Sequence, residues 1–456
     1  MKILLLLFLL FTPLLQAQHS SDLEGRWAGT IEVEGEPLNI ELLFGFDDGI
    51  LDGTIDIPQQ NAFNLPFDVS EATRDTVIFQ FQTGTGEAVF YGGVNEAADK
   101  VTGDFEQAGM TFPFTINKVS SSNGINGERD DNEIIIPTRA GQISGSLLLQ
   151  DEPSPLVILL SGSGSQDRDE NIVGFRVFLE LSNHLYNSGF STFRYDDRGV
   201  GQSVGNADAT LKELAEDLVD IVEYLKNSHA DEFSKVILLG HSQGGMVATL
   251  AARQTKPSGI IFMGSPFISA DKIIDQQIEA ISEEQGISED VVEVNLDFQS
   301  RIYEVVRENG SWDEIEADLA ERLEYQINEL PEPQREALGD MSSFIESQVN
   351  RQLARAKTRW FKSFLEFDMT EQIRHFDKPM LAIFGEHDLQ VLLEPNRNSA
   401  LGMSSEYDLD LQTVTIPNAN HLFQYSETGL PSEYGMLDKE FTEGFIEAIL
   451  TFLNDL

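Results

Sequence analysis

Residues 236–252 read VILLGHSQGGMVATLAA, an apolar run followed by a glycine-rich turn and a helix-compatible segment. The turn, GHSQG at residues 240–244, matches the Gly-x-Ser-x-Gly pattern in the strand, turn and helix context that this pattern requires. A sharp turn that lifts a serine oxygen clear of a sheet crowds the neighbouring backbone, so glycine is needed on both sides of the serine. The stretch predicts Ser242 as a nucleophile at the end of a strand, and an ordinary glycine-rich turn is the alternative.

Short apolar runs alternate with helix-compatible segments on both sides of this turn. The runs that predict strands are residues 156–160, 191–195, 236–239, 259–263, 380–384 and 411–416. Such alternation is typical of a mostly parallel sheet with helices on both faces. Residues 133–456 are therefore predicted to form an α/β domain.

One segment, about residues 267–367, interrupts this alternation. Its apolar residues recur at helical spacing, and it contains no strand-like run. The segment leaves the predicted sheet at the carboxyl end of one strand, where the candidate catalytic loops also gather. We expect a helical cap over Ser242, although Ile274, Ile278 and similar residues fit packing of the cap on the core equally well.

The amino-terminal third has a different pattern. Residues 18–118 repeat short runs of β-branched, aromatic and leucine residues separated by glycine-containing turns, which predicts a small antiparallel sandwich or barrel. Residues 119–132 are polar and carry no periodic apolar residues, so they are interpreted as a linker. The β domain shows no nucleophile and base together, and catalysis is therefore expected in residues 133–456.

The first residues have the pattern of an export signal. Lys2 supplies a positive charge, residues 3–15 form a short apolar run, and Ala17 offers a small residue for cleavage. A membrane anchor is the alternative, but spanning a bilayer takes about 18 apolar residues. We expect a signal peptide at residues 1–17 and a periplasmic or secreted mature protein without stable membrane insertion.

Composition excludes several kinds of site and partner. The sequence contains no cysteine, which rules out disulfides, thiol nucleophiles and cysteine-ligated metals. The formal charge of −47 disfavours nucleic acid and anionic membrane surfaces as partners, because both would be repelled. An acidic surface also improves solubility, which is sufficient to explain the charge. The sequence indicates no oligomeric state.

A serine hydroxyl needs a nearby base, and that base needs a group that holds its tautomer. The order along the chain for this kind of sheet is serine, then an acid, then histidine. Asp388 follows the predicted strand 380–384, and His421 follows the predicted strand 411–416. We therefore expect His421 to act as base and Asp388 to orient it.

Other residues compete for these two roles. Glu386 is the alternative orienter, because it lies in the same loop as Asp388. His241 is too close to Ser242 along a tight turn to act as its base. The remaining candidate histidines fall in predicted helices or surface connections: His184, His229 and His375.

The reaction also needs two donors for the developing oxyanion. One is expected to be the backbone N–H of Gln243, the residue after the nucleophile. The second is expected from the loop SGSGSQDRD at residues 161–169, with Ser163 or Gly164 as donor. A flexible surface turn is the alternative for this loop, whereas a phosphate-binding loop is disfavoured because the required lysine is missing.

The chain resembles the α/β-hydrolases, and more narrowly bacterial carboxylesterases with a small N-terminal domain and a helical cap; it is also similar to S33-like serine aminopeptidases. The resemblance covers about residues 133–456 without much of the cap. It is carried by SGSGSQDRDE at 161–170, DRGVGQS at 197–203, GHSQGG at 240–245, GEHD at 385–388 and NH at 420–421. It implies the roles of nucleophile, acid and base for Ser242, Asp388 and His421. Ser161-Gly162 stands where the family usually has His-Gly.

The pattern as a whole favours a hydrolase of carboxylic esters, acting on a small-molecule acyl ester without metal or organic cofactor. A serine aminopeptidase acting on short peptides is the second hypothesis. A third, from another class, is an envelope- or polymer-binding protein whose hydrolase domain is inactive.

Overall fold

The computed structural model describes residues 23, 25–33, 38–47, 50–57, 62–73, 76–83, 86–95, 98–107, 110–118, 132–328, 335 and 341–456. The predicted signal peptide, residues 1–17, and the predicted linker up to residue 131 lie outside the described residues. The described residues fall into two compact units. One comprises 132–310 and 357–456, and the other comprises 23–118 and 311–356.

The β domain is a closed antiparallel barrel of consecutive strands. Its strands are β1 Gly25–Ile31, β2 Leu38–Asp47, β3 Ile50–Ile57, β4 Ala62–Ala72, β5 Thr76–Thr83, β6 Gly86–Val94, β7 Lys100–Gln107 and β8 Met110–Lys118. Pairing of β1 with β8 closes the barrel. Alternate residues face inward, so that Leu42 and Phe44 are buried while Leu43 between them is half exposed. The sequence predicted a sandwich or a barrel, and the structure is a barrel.

Aromatic rings fill the interior of this barrel. Phe79 stacks on Phe90 with ring centroids 4.5 Å apart, and Phe114 meets Phe90 edge to face at 4.9 Å. Phe44 and Phe67 extend the cluster with a centroid distance of 4.8 Å. The predicted aromatic runs of this domain therefore form its core.

The second sheet has the strand order β18-β17-β16-β15-β11-β14-β10-β9. Its strands are β9 Glu133–Thr138, β10 Gly141–Leu148, β11 Ser154–Leu160, β14 Ser191–Tyr195, β15 Phe233–His241, β16 Gly259–Met263, β17 Met380–Gly385 and β18 Leu411–Ile416. The six strands β18, β17, β16, β15, β11 and β14 are parallel to one another. Strands β10 and β9 extend the sheet beyond β14 as an antiparallel edge. A further short hairpin pairs β12 Asn171–Ile172 with β13 Phe175–Arg176.

Helices cover both faces of this sheet. They are α1 Val177–Asn187, α2 Leu211–Ser228, α3 Gln243–Thr255, α9 Met369–Ile373, α10 Leu393–Tyr407 and α11 Phe445–Asp455. In β11, Ile158 packs with residues of α2 and α3 on one face, and Val157 packs with residues of α1 and α11 on the other. Burial on both faces explains why the parallel strands have continuous apolar sequences.

The hairpin β9–β10 was not among the predicted strands. The sequence of β10 is GQISGSLL, in which serine and glycine resemble a turn. The structure buries Ser144 and Ser146, whose hydroxyls are bonded to Arg168. A Cβ atom at Gly145 would lie 2.5 Å from the ring of Phe193, so the strand needs glycine there. Arg168, which lies outside the hairpin, thus provides polar contacts for a buried strand whose sequence lacks apolar alternation.

The described part of the predicted insertion, residues 267–367, consists of helices joined by short connections and contains no strand. Its helices are α4 Ala270–Glu284, α5 Glu289–Glu308, α6 Asp313–Asn328, α7 Met341–Leu353 and α8 Arg359–Leu365. Helices α4, α5 and α8 belong to the compact unit of the parallel sheet, whereas residues 311–356 belong to the other unit. None of the helices among the described residues combines the length and apolarity needed to cross a membrane.

Candidate active site

Ser242 lies at the turn between strand β15 and helix α3. Its backbone angles are φ 50° and ψ −117°, a combination that residues with a side chain rarely adopt. The Ser242 N–H donates to the carbonyl of Met263 at 2.9 Å, which fixes the turn against the neighbouring strand. The serine is therefore held in a strained conformation directly before the N-terminus of α3.

Glycine is required around this turn for steric reasons. A Cβ atom at Gly240 would lie 2.2 Å from the carbonyl carbon of Gly244, and one at Gly244 would lie 2.1 Å from the carbonyl oxygen of Leu160. These contacts are with backbone, which has no room to move aside. The crowding predicted from the sequence is thus present at both glycines that flank the serine.

Asp388 and His421 form a buried pair. The Nδ1 atom of His421 is 2.8 Å from Oδ2 of Asp388, and the two residues are 4% and 2% exposed. The other carboxylate oxygen of Asp388 accepts the backbone N–H groups of Gln390 and Val391, each at 2.8 Å. Because a carboxylate accepts and does not donate, Nδ1 of His421 carries a proton, and Nε2 is the ring nitrogen left to act as a base.

The alternative orienter Glu386 and the other polar residues of these two loops have other partners. Glu386 accepts the backbone N–H of Asn418 at 2.9 Å, and His387 donates through Nδ1 to the carbonyl of Ser426 at 2.7 Å. The side chain of Asn420 accepts two backbone N–H groups of the turn that carries His421. The structure therefore pairs Asp388, and not Glu386, with His421.

Backbone contacts bring these loops to Ser242. The carbonyl of His421 accepts a hydrogen bond from Nε2 of His241, the residue before Ser242, at 3.1 Å. A Cβ atom on Gly264, the residue after β16, would be 3.4 Å from Nδ1 of His421 and 3.5 Å from Oδ2 of Asp388. The nucleophile candidate, the base candidate and the acid candidate therefore share one edge of the sheet, where the parallel strands end.

The loop after β11 passes beside Ser242. A Cβ atom at Gly162 would be 3.5 Å from Cβ of Ser242. The N–H of Gly162 is engaged, since it donates to the carboxylate of Glu170 at 2.6 Å, and the N–H of Gln166 donates to Asp197 at 3.0 Å. Ser163 and Gly164 lie between these two anchored positions, and Gly164 has a φ of +103°. The loop thus has fixed ends on either side of the two predicted donors.

Gln243 occupies the first position of α3. As at every helix start, its backbone N–H has no acceptor within the helix. Its side chain accepts a hydrogen bond from the indole of Trp360 in helix α8. Trp360 was not singled out from the sequence, because nothing in the sequence around it indicates a contact with residue 243.

Ion pairs fix the surrounding loops. Arg168 pairs with Asp196 at 2.7 Å, and Arg198 pairs with Asp217 at 2.6 Å. Asp169 pairs with both Arg176 and Arg194. Arg194, Asp196 and Arg198 are each engaged in an ion pair, which supports a structural role for the charged sequence at 194–203.

Asp197 is the exception among these charges, because none of its hydrogen-bond partners in the described part of the chain is a cation. It accepts the hydroxyl of Ser161 at 3.0 and 3.1 Å and the N–H of Gln166. Burial raises the pKa of Asp197 to about 7, against the lowering effect of these donors. Asp197 also lines a small cavity together with Ser161 and Gln243. The described residues contain no group of three or more His, Asp or Glu side chains that could hold a metal ion.

Comparison with known proteins gives similarity over part of the chain. The model of the family described as serine aminopeptidase, S33 matches residues 174–309, which include Ser242 but neither Asp388 nor His421. Esterase EstD of Thermotoga maritima is 25% identical over 292 residues, covering 63% of this chain and 60% of EstD. The match to protein phosphatase methylesterase 1 of Candida albicans is 30% identical over 96 residues, which are 21% of this chain and 24% of that protein.

A solved structure of an esterase from Thermogutta terrifontis, with malate bound, covers 71% of this chain and 98% of its own chain at 21% identity and a TM-score of 0.39.

Proposed function

We propose that the chain is an α/β-hydrolase that cleaves carboxylic esters through an acyl-enzyme on Ser242. His421 acts as base and Asp388 orients it. The observation that carries the proposal is the buried 2.8 Å contact between His421 and Asp388 at the edge of the sheet that carries the strained Ser242 turn. Nucleophile, base and orienter on neighbouring loops are the parts that serine acyl transfer needs.

In the first half of the reaction, the hydroxyl oxygen of Ser242 attacks the acyl carbonyl carbon. Its proton passes to Nε2 of His421, and the negative charge develops on the former carbonyl oxygen. When the tetrahedral intermediate collapses, the bond to the alcohol oxygen breaks and that oxygen takes the proton from His421. The acyl group remains on Ser242 as an ester.

In the second half, water replaces the alcohol. His421 removes a proton from the water as its oxygen attacks the acyl carbon, and the bond to Ser242 then breaks with return of the proton to the serine oxygen. Asp388 keeps the Nδ1 proton of His421 in place and stabilises the imidazolium during both halves.

The oxyanion is stabilised by backbone donors. The N–H of Gln243 is the first, and its place at the start of α3 adds the positive end of the helix dipole. Ser163 or Gly164 supplies the second. Gly162 is excluded from that role because its N–H is already bonded to Glu170.

The insertion contributes to substrate choice in this proposal. Trp360 of α8 reaches the side chain of Gln243, and Gln277 of α4 donates to the carbonyl of Gln390, which is two residues after Asp388. Two separate helices of the insertion therefore contact residues beside the catalytic groups. A cap in such contact sets which acyl groups reach Ser242.

A serine aminopeptidase is the second candidate, favoured by the family model that matches residues 174–309. The same three residues would then cleave an amide, and a carboxylate near the site would receive the free α-amine of the substrate. Both reactions use an acyl-enzyme, so only substrate preference separates them.

The deciding experiment compares p-nitrophenyl esters of increasing acyl length with aminoacyl anilides, using the purified enzyme and its Ser242→Ala variant as control. We expect ester hydrolysis that the variant lacks. Efficient cleavage of the anilides alone would show that the protein is an aminopeptidase and not an esterase. Failure of folded protein to react with a fluorophosphonate at Ser242 would instead favour a binding protein with an inactive hydrolase domain.

A further inference from the structure

His241, the residue before the nucleophile, is bonded at both ring nitrogens. Its Nδ1 atom is 2.8 Å from Oε1 of Glu170, and its Nε2 atom is 3.1 Å from the backbone carbonyl oxygen of His421. His241 is 1% exposed and Glu170 is 0% exposed. A second buried pair of carboxylate and imidazole therefore lies beside the pair formed by Asp388 and His421, and the proposed mechanism does not use it.

Glu170 also holds the loop after β11. Its Oε1 atom accepts the N–H of Gly162 at 2.6 Å as well as the bond from His241. A chain of hydrogen bonds thus links three loops. It runs from Gly162 to Glu170, from Glu170 to His241, and from His241 to the carbonyl of His421. These loops carry the expected oxyanion donors, the nucleophile and the base.

The hydrogen-bond partners of His241 indicate how many protons the pair of His241 and Glu170 contains. A backbone carbonyl only accepts, so Nε2 of His241 must carry a proton. The 2.8 Å contact between Nδ1 and Glu170 contains a second proton. Burial lowers the pKa of His241, but the charge and hydrogen bond of Glu170, the carbonyl of His421 and the charge of Asp388 together raise it above the usual value. The raised pKa and the two acceptors that face its ring therefore favour a His241 that carries a proton on both nitrogens.

This arrangement costs stability. The second carboxylate oxygen of Glu170, Oε2, is buried without a hydrogen-bond partner among the described residues. A buried acceptor without a partner is unfavourable, and replacing a buried ion pair by apolar residues is often neutral or stabilising. Packing alone therefore gives no reason for a carboxylate at position 170.

We propose that Glu170 and His241 are positioning residues for the reaction on Ser242, a role that rests on the proposed function. His241 fixes the backbone carbonyl of His421 and with it the place of the base. The ring of His241 supports the same residue, with a centroid distance of 4.7 Å to the ring of His421. Glu170 fixes Gly162, so that the N–H groups of the following residues, Ser163 and Gly164, are presented to the oxyanion.

The variant Glu170→Gln tests this role. Glutamine keeps the size of the side chain and an acceptor for Gly162, but it removes the charge that keeps His241 doubly protonated. Neutral His241 has one N–H and cannot donate to both former partners. We expect kcat to fall about 10²-fold, the scale of a small misplacement in an active site, with KM changed less than about threefold.

Imidazole ¹⁵N resonances provide a readout that loss of stability does not move. In wild-type protein labelled with ¹⁵N-histidine, we expect both nitrogens of His241 to be protonated, with the signals assigned by their absence in His241→Gln. The second proton should be lost in Glu170→Gln. The wild-type spectrum is informative even if the variant does not fold, because a neutral His241 there would overturn the proposal.

Asp220→Asn is the matched control. Asp220 lies in helix α2, has 14% of its side chain exposed, and pairs with Arg139 at 2.7 Å but not with His241. We expect Asp220→Asn to lower the melting temperature while both His241 protons and kcat are retained. If folded Glu170→Gln keeps wild-type kcat, or if Asp220→Asn reduces kcat equally, the positioning role is wrong.

Different results would contradict the acyl-enzyme mechanism on Ser242 and the positioning role of Glu170 and His241. If Ser242→Ala is as active as the wild type, the acyl-enzyme mechanism is wrong whatever His241 does. If Ser242→Ala is inactive and fluorophosphonate labels Ser242, but Glu170→Gln is kinetically unchanged, only the positioning role is lost.

Discussion

The Nδ1 atom of His421 lies 2.8 Å from Oδ2 of Asp388, and both side chains are shielded from water. The second oxygen of Asp388 is held by the backbone N–H groups of Gln390 and Val391. A carboxylate fixed at both oxygens leaves the imidazole a single favourable tautomer and orientation.

Asp388→Asn should therefore reduce kcat for ester hydrolysis by about four orders of magnitude, because an amide favours the wrong tautomer of His421. Steady-state kinetics of the purified variant checks this. Glu386→Gln is the control, since Glu386 bonds to the backbone of Asn418 and should be replaceable with little loss of rate. A crippled Glu386→Gln beside an active Asp388→Asn would reverse the assignment.

A serine at position 242 should lower the free energy of unfolding, and it should also be essential for activity. Ser242→Ala and Ser242→Gly should both abolish turnover, because each removes the proposed nucleophile. The backbone of residue 242 has φ 50°, which glycine adopts without strain. Strain relief of about 1–3 kcal/mol exceeds the entropic cost of glycine, so Ser242→Gly should be more stable than Ser242→Ala by about 1 kcal/mol. Urea unfolding measures the difference, and a less stable glycine variant would show that the turn is unstrained.

Gly244→Ala should lower the free energy of unfolding by about 3 kcal/mol, because the new methyl group would lie 2.1 Å from the carbonyl oxygen of Leu160. Gly402→Ala in helix α10 is the matched control. A Cβ atom there meets nothing within 4 Å, and alanine should stabilise the helix by about 0.5–1 kcal/mol. Chemical denaturation of both variants checks the opposite signs, and equal effects would contradict the crowding argument.

Asp197→Asn should change how stability depends on pH. The pKa of Asp197 is about 7 in the folded protein and about 3.9 in an unfolded chain, so the folded state binds the extra proton between these values. This carboxyl therefore makes the protein less stable as the pH rises from about 4 to 7. The melting temperature of the variant relative to wild type should increase between about pH 5 and pH 8. Ser161→Ala, which keeps the carboxyl, should show no such relative gain.

Trp360→Phe should lower kcat/KM by up to about tenfold, unequally among acyl lengths. Phenylalanine keeps a ring to stack on Phe364, whose centroid is 5.2 Å away, but it has no N–H for the side chain of Gln243. Loss of one hydrogen bond of ordinary strength sets the magnitude. Measuring p-nitrophenyl esters of several acyl lengths checks the profile, and a uniform, unchanged profile would mean that α8 has no part in substrate choice.

Much of the parallel sheet could be predicted from the sequence. The strands at 191–195, 259–263 and 411–416 have the predicted bounds, because strands buried on both faces need continuous apolar sequence. The hairpin β9–β10 could not be predicted, since its Ser144 and Ser146 are buried with hydrogen bonds from Arg168 of another loop, which the sequence of the hairpin does not show.

By itself, the sequence determined the turn around Ser242, because its glycines are required by contacts within and beside one short segment. It also limited the acid to Asp388 or Glu386. Only the tertiary structure pairs one of these two, Asp388, with His421, and only the tertiary structure joined Glu170 to His241, 71 positions later in the chain. Steric crowding in a tight turn acts between neighbours and leaves its mark in local sequence. A hydrogen bond between loops depends on where folding places each donor and acceptor, and local sequence does not record that position.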